Sequence, residues 1–184
     1  MNKKLIGTLN ILPVSTSLSL VADPTSALLK SLLNIDENVG VAQIDSTFSD
    51  TAAFCEHYQI SLGQTVNCVV VKGIRGDKIS YAACMIFGNS RADVNGLVRR
   101  HLDARKASFA PMDEAVALTK MEYGGITPVG LPSDWPILVD KTVADSSEVV
   151  IGSGVRGSKL IVTGKFLAGL PNAVVLEGLG TVKL

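Results

Sequence analysis

Apolar and polar residues change places along this chain in short blocks, and the blocks predict strands interspersed with helices. Residues 5–12 have the length and apolar content of a strand, closed by Pro13, which lacks a backbone donor. Asp23-Pro24 ahead of Ala27, Leu28, Leu29, Leu32 and Leu33 reads as a helix start, with Asp23 as N-cap and Pro24 at the first helical position. Residues 41–44 form a short strand. Ser49 or Asp50 then caps a helix running to about His57, in which Ala52, Ala53 and Cys55 are small packing residues. Residues 66–71 are an almost unbroken apolar run rich in β-branched side chains, the pattern of a strand covered on both faces. A turn over 73–77 and a return strand over 79–87 make an antiparallel hairpin suited to the centre of a sheet or barrel.

Val94, Leu97, Val98 and Leu102 recur at helical spacing, with Arg91, Asn95 and Arg99 on the other side, and predict an amphipathic helix over 91–102. Pro111 opens a second short helix over 112–118, with Asp113 and Glu114 near its positive end. Residues 123–136 hold three of the seven prolines and three glycines, so they form a loop. A loop of that length inside a compact domain usually carries function. Strands return at 137–140, 149–151 and 160–162, and the second of them leads into a glycine-rich turn over 152–157. No βαβ repeat orders these elements, and the predicted class is α+β, or mixed α/β.

Composition adds limits. A chain of 184 residues, 47% hydrophobic and 18% charged, buries a real core and is read as one domain over 1–184. With 17 basic and 17 acidic residues the net charge is zero, so any nucleic-acid contact must be local. Arg91, Arg99, Arg100, His101, Arg105 and Lys106 are the one basic concentration suited to phosphates, although a solvated helix face explains the same residues equally well. Cys55, Cys68 and Cys84 show no CxxC or Cys/His spacing, no metal site is expected, and Cys68 is read as a buried, inert thiol. His57 and His101 belong to no catalytic grouping. Lys3 and Lys4 precede an apolar stretch as in a signal peptide, but Gly7, Thr8, Asn10, Pro13 and the polar run 15–19 interrupt it. No segment approaches membrane-spanning length, and the expected location is cytoplasmic.

Three stretches then point to a family: Gln64-Thr-Val-Asn-Cys-Val-Val-Val-Lys72, residues 106–115 leading into 123–131, and Gly152-Ser-Gly-Val-Arg-Gly157. Together they resemble the YbaK-type aminoacyl-tRNA deacylases, relatives of the editing domain associated with prolyl-tRNA synthetase. The resemblance covers most of 36–175; residues 1–35 are read as an N-terminal extension packed on the domain. It implies a small mixed β-barrel or sheet ringed by helices, with a pocket that takes the aminoacylated 3′ end of a tRNA and hydrolyses the ester of a mischarged small amino acid. It implies no cofactor, and an aminoacyl-tRNA synthetase as a second partner. The family's Gly-x-x-x-Pro loop corresponds to Gly124, Gly125, Ile126, Thr127 and Pro128. Glycines let backbone N–H groups approach a substrate, and two such donors aimed at one oxygen stabilise the charge formed when water attacks an ester. Ser153, Gly154, Arg156 and Gly157 fall at the pocket rim, where the Ser153 hydroxyl is a candidate to orient water or ribose.

The pattern departs from the family at three positions. Asn67 stands where a lysine is usual, and an amide brings hydrogen bonds but no charge. Lys72 is no replacement, because residues 67 and 72 fall on opposite faces of a strand. Phe48 takes the place of a tyrosine, and Lys159 that of an acidic residue or histidine, so a cation moved from position 67 to 159 would restore the pocket's charge from the opposite wall. Two functions are consistent with these residues. One is ester hydrolysis by a positioned water, with the amides of 125–127 polarising the carbonyl and the substrate's ribose hydroxyl assisting. The other is a catalytically silent module that binds tRNA or an aminoacyl group.

Overall fold

A computed structural model describes residues 6–182. The five-stranded sheet is built on the hairpin of β3 (Val66–Arg75) and β4 (Lys78–Phe87), paired from Val66 opposite Phe87 to Arg75 opposite Lys78. Its turn is therefore Gly76-Asp77, tighter than the predicted 73–77, with Gly76 at φ 58° taking the left-handed conformation that a two-residue hairpin requires. β6 (Lys106–Phe109) flanks β3 as a free edge, while β7 (Ile137–Asp140) and β10 (Ala173–Leu176) continue in parallel beyond β4. A four-stranded sheet has the order β1 (Leu12–Pro13), β2 (Val39–Gln43), β9 (Ser158–Val162), β8 (Val149–Gly152). The two sheets meet where Thr65 bridges Val150 in parallel and the Val150 N–H donates to the Gln64 carbonyl at 2.8 Å. The fold is mixed α/β, and the described strands do not close into a barrel.

Local chemistry explains the helices. Asp50 caps α2 (Thr51–Tyr58) by accepting from the Ala52 N–H at 3.1 Å. In α1 (Asp23–Lys30) the N-cap is Ala22, not Asp23, and Asp23 instead supplies negative charge within the first turn. The predicted helix over 91–102 is divided. Ser90–Ala92 is strand β5, paired with β11 (Gly180–Val182), and Asp93 then caps a π-helical turn, Val94–Val98, by accepting from the Gly96 and Leu97 N–H groups at 2.9 Å. That turn runs into α3 (Arg99–His101), so Arg91 is not on the helix with Arg99 and Arg100. Residues 6–11 are not a strand; β1 begins only at Leu12. Leu5, Lys3 and Lys4 lie outside the described residues.

α4 (Met112–Thr119), α5 (Lys141–Ala144) and α6 (Gly164–Ala168) complete the ring. The main core joins Leu29, Val41, Val139, Val143, Ile151 and Leu160 across the two sheets. A second core packs Val98 and Leu102 on Val71, Ala82 and Leu138. The N-terminal segment is tied to the rest by backbone and side chain: Ala22 N–H donates to the Ser153 carbonyl (3.1 Å) and the Thr25 hydroxyl to the Val129 carbonyl (2.9 Å). No helix among the described residues is long and apolar enough to cross a membrane.

Candidate active site at the seam of the sheets

A cavity of about 370 Å³ opens along the seam. It is lined by the start of β3, including Asn67 and Cys68, and by Val150 to Gly152 of the adjoining β8 with Lys159 of β9. Ser49, Asp50 and Thr51, at the head of α2, and Phe109, Met112, Tyr123, Gly124 and Ile126 complete the lining.

The shape of the loop follows from close backbone packing against the 152–157 turn. A side chain at Gly125 would place its Cβ 2.6 Å from the Val155 carbonyl oxygen, and one at Gly152 would meet the carbonyls of Gly125 and Ile126. Three backbone bonds lock the pair: Glu122 N–H to the Gly154 carbonyl (2.9 Å), Gly154 N–H to the Gly125 carbonyl (2.7 Å), and Gly125 N–H to the Glu122 carbonyl (2.9 Å). Gly124 and Gly154, at φ 83° and 88°, adopt backbone conformations that glycine tolerates best. The Gly125 amide is thus consumed inside the loop and is not free to polarise a substrate. The amides of Gly124 and Ile126, both on the cavity wall, have no partner among the described residues. Thr127 is fully buried with an unpartnered hydroxyl, and neither it nor Pro128 lines the cavity.

Electrostatics centre on Lys159. Its ammonium donates to the Ser49 carbonyl at 3.1 Å and lies 5.2 Å from the centre of the Phe54 ring, a cation–π contact, with no carboxylate in salt-bridge range among the described residues. Burial, reinforced by the Arg156 charge and partly offset by Asp50, lowers its pKa to about 8. Also on the cavity lining, Asn67 accepts from the Thr51 hydroxyl at 3.0 Å, which fixes its amide and leaves the amide N–H groups as donors. Burial raises the Cys68 thiol, with Cys84 adding to the effect, so Cys68 is an inert part of the wall. Lys72 is elsewhere, bound to Glu114 at 2.7 Å.

Other sequence candidates are dispersed. Phe48 stacks on His57 with ring centres 3.9 Å apart and is not on the cavity wall. The buried Ser153 hydroxyl is bonded to the carbonyls of Val155 (3.1 Å) and Ser158 (2.9 Å), a role in shaping the turn. Gly154 serves the same turn, and Gly157 faces open space. Arg156 donates from its backbone to Glu122 (2.6 Å) and from its guanidinium to the Ser46 carbonyl (3.3 Å), beside Gly124. Arg99 lines a second recess with Arg105 and Lys106; Arg91 and Arg100 do not. Sequence reasoning missed Ser49, Thr51, Phe109 and Tyr123 as cavity residues. Among the described residues no cluster of three or more His, Cys, Asp or Glu side chains is placed to hold a metal.

Fold and cavity define a mixed α/β domain with a ligand-sized recess between two sheets, walled by a glycine loop and a buried cation. The chain matches the aminoacyl-tRNA editing domain over residues 45–170, well over half its length, and it belongs to that family. Solved structures agree in fold. A hypothetical protein, APE2540, is 20% identical with a TM-score of 0.73 over 86% of this chain and 100% of its own. A structure described as a candidate trans-editing enzyme for prolyl tRNA synthetase is 21% identical, with a TM-score of 0.69 over 84% of this chain and 93% of its own. A scaffold used for computational epitope grafting is 22% identical, with a TM-score of 0.70 over 85% and 95%.

Proposed function

We propose that this protein hydrolyses the ester of a small amino acid wrongly attached to a tRNA, holding the acyl group in the seam cavity. Membership of the editing-domain family supports aminoacyl-tRNA as the substrate class. The observation that carries the reading is that one cavity is lined by Gly124 and Ile126, whose amides are unengaged, and by Lys159, whose ammonium has no carboxylate partner among the described residues.

In this mechanism a water oxygen bonds to the acyl carbon, and the carbonyl electron pair moves onto the oxygen. The Gly124 and Ile126 N–H groups and Lys159 are the donors available to that oxyanion, in place of the Gly125 amide. Collapse breaks the bond between the acyl carbon and the ribose oxygen; the ribose oxygen takes up one of the water's protons, the other passes to solvent, and the amino acid leaves as a carboxylate. The neighbouring ribose hydroxyl orients the water, so no protein base is required. A volume of about 370 Å³ lies at the small end for ligand sites, so little room remains for an amino acid side chain beyond the ribose and ester. The N-terminal segment belongs to this unit, because its bonds to Ser153 and Val129 brace the turn and loop that form the wall.

One observation favours a second reading, a catalytically silent aminoacyl-binding module: Asn67 brings no charge to β3. A deacylation assay over a panel of mischarged tRNAs separates the two. Turnover on one member, lost in Gly125→Val, supports hydrolysis. Saturable binding without turnover on the whole panel rejects it.

A further inference from the structure

A second recess lies at the free edge of β6, lined by Arg99, Arg105, Lys106 and Ser108 together with Lys72 and Asn95. Its cations differ in availability. Lys72 is neutralised by Glu114 at 2.7 Å, and nearby Arg75 by Asp103 at 2.7 Å. Arg99, Arg105 and Lys106 have no carboxylate partner among the described residues, and Arg99 uses only its Nε, on the Asn95 carbonyl at 2.8 Å. Charges on a free edge discourage strand pairing. That accounts for Lys106 on β6 but not for Arg99 and Arg105, which lie off the strand.

The recess and the seam cavity share β6. Lys106 lines the recess and Phe109 the cavity mouth, three residues and about 10 Å apart and on opposite faces of the strand, so a ligand that touches both runs along the free edge. At that mouth Phe109 is 66% exposed and Tyr123 58% exposed, although both are large aromatics. Exposed rings beside a line of unpaired cations are the combination that binds single-stranded nucleic acid, with bases stacked on rings and phosphates held by charge.

We infer that the β6 edge is a track for a single-stranded RNA 3′ tail, with bases on Phe109 and Tyr123 and phosphates on Arg99, Arg105 and Lys106. The inference rests on the proposed editing reaction for its direction, with the acylated end in the cavity and the strand leaving along β6 toward the recess. Of the basic residues suited to phosphates it keeps Arg99, Arg105 and Lys106 and leaves out Arg91 and Arg100, which do not line the recess.

The test is fluorescence anisotropy of the full chain with a labelled, non-acylated RNA stem carrying a short single-stranded 3′ overhang, over a series of salt concentrations. Arg105→Gln/Lys106→Gln should weaken binding and reduce the slope of log affinity against log salt by about 1.4 to 1.8, the share of two phosphate contacts. Phe109→Ala should weaken binding on the order of tenfold with an unchanged slope, the signature of one lost stacked base. A blunt-ended stem should be insensitive to Phe109→Ala. The track is overturned if the unaltered chain does not bind the overhang, if the variants bind as it does, or if Phe109→Ala acts equally on the blunt stem. Hydrolysis of an aminoacyl ester of adenosine, too short to reach the recess, tests the cavity separately. If the unaltered chain cleaves that ester while the variants keep RNA affinity, the track fails and editing stands; no cleavage with affinity lost in the variants gives the reverse.

Discussion

Lys72 and Lys159 mark two differently built regions of the same protein. Around Lys72 the charge is balanced: Glu114 accepts from its ammonium at 2.7 and 3.0 Å and from the Tyr81 hydroxyl as well, and these bonds hold the Glu114 carboxyl below its ordinary pKa. Around Lys159 the charge is stranded, buried against a carbonyl and a ring with only the partly offsetting field of Asp50. A cation balanced by a carboxylate is explained by the fold itself. One kept buried at a cost, on the wall of a cavity, is what the proposed oxyanion role accounts for.

Four measurements break or sharpen this contrast. Lys159→Met should lower turnover of a mischarged tRNA on the order of 100-fold, the effect of losing one donor to a developing oxyanion; a loss under threefold would place Lys159 with the structural lysines. The same variant should be more stable than the parent at pH 7, by about 1 to 3 kcal/mol once the lost bond to Ser49 is deducted. The native pKa of about 8 lies below the ordinary value of 10.5, so between those values the unfolded chain binds more protons and the parent's stability rises with pH. Thermal melts should therefore show the advantage of Lys159→Met fading from pH 8 toward 10.5; a constant difference would contradict the buried charge. Third, Asn67→Lys added to Lys159→Met should restore activity about tenfold over Lys159→Met alone, if a cation from either wall serves the same oxyanion. Smallest, Lys72→Met should alter turnover less than about threefold, because an ion pair at a partly exposed site contributes little beyond its own surroundings.

How much of this was legible in the sequence depended on whether the signal was local. The β-branched run at 66–71, the Asp50 cap and the proline-and-glycine loop act through their own backbones, and the structure places strand, helix and loop there. The helix predicted over 91–102 starts only at Val94, because Arg91 is claimed by pairing with Thr181 in a distant strand, a tertiary contact that periodicity does not record. The loop is legible and so is its Ile126 amide, but the Gly125 amide expected beside it is spent on the Glu122 carbonyl. Which N–H is spent internally depends on Glu122 and on the facing turn, which sequence spacing does not reveal. Strand alternation separated Asn67 from Lys72 correctly, because residue parity alone decides it. Ser49, Phe109 and Tyr123 reach the cavity only through the mutual placement of α2, β6 and the loop, and no pattern within any one of these segments encodes that.

The bridge between Thr65 and Val150 has a consequence for how the cavity is held open. Its two long walls belong to different sheets, each with its own hydrogen-bonded ladder, and the backbone bond from Val150 to Gln64 fastens one to the other at the base of the cleft. Under the proposed reaction, a change that loosens this clasp is expected to alter which acyl groups fit while both ladders stay intact.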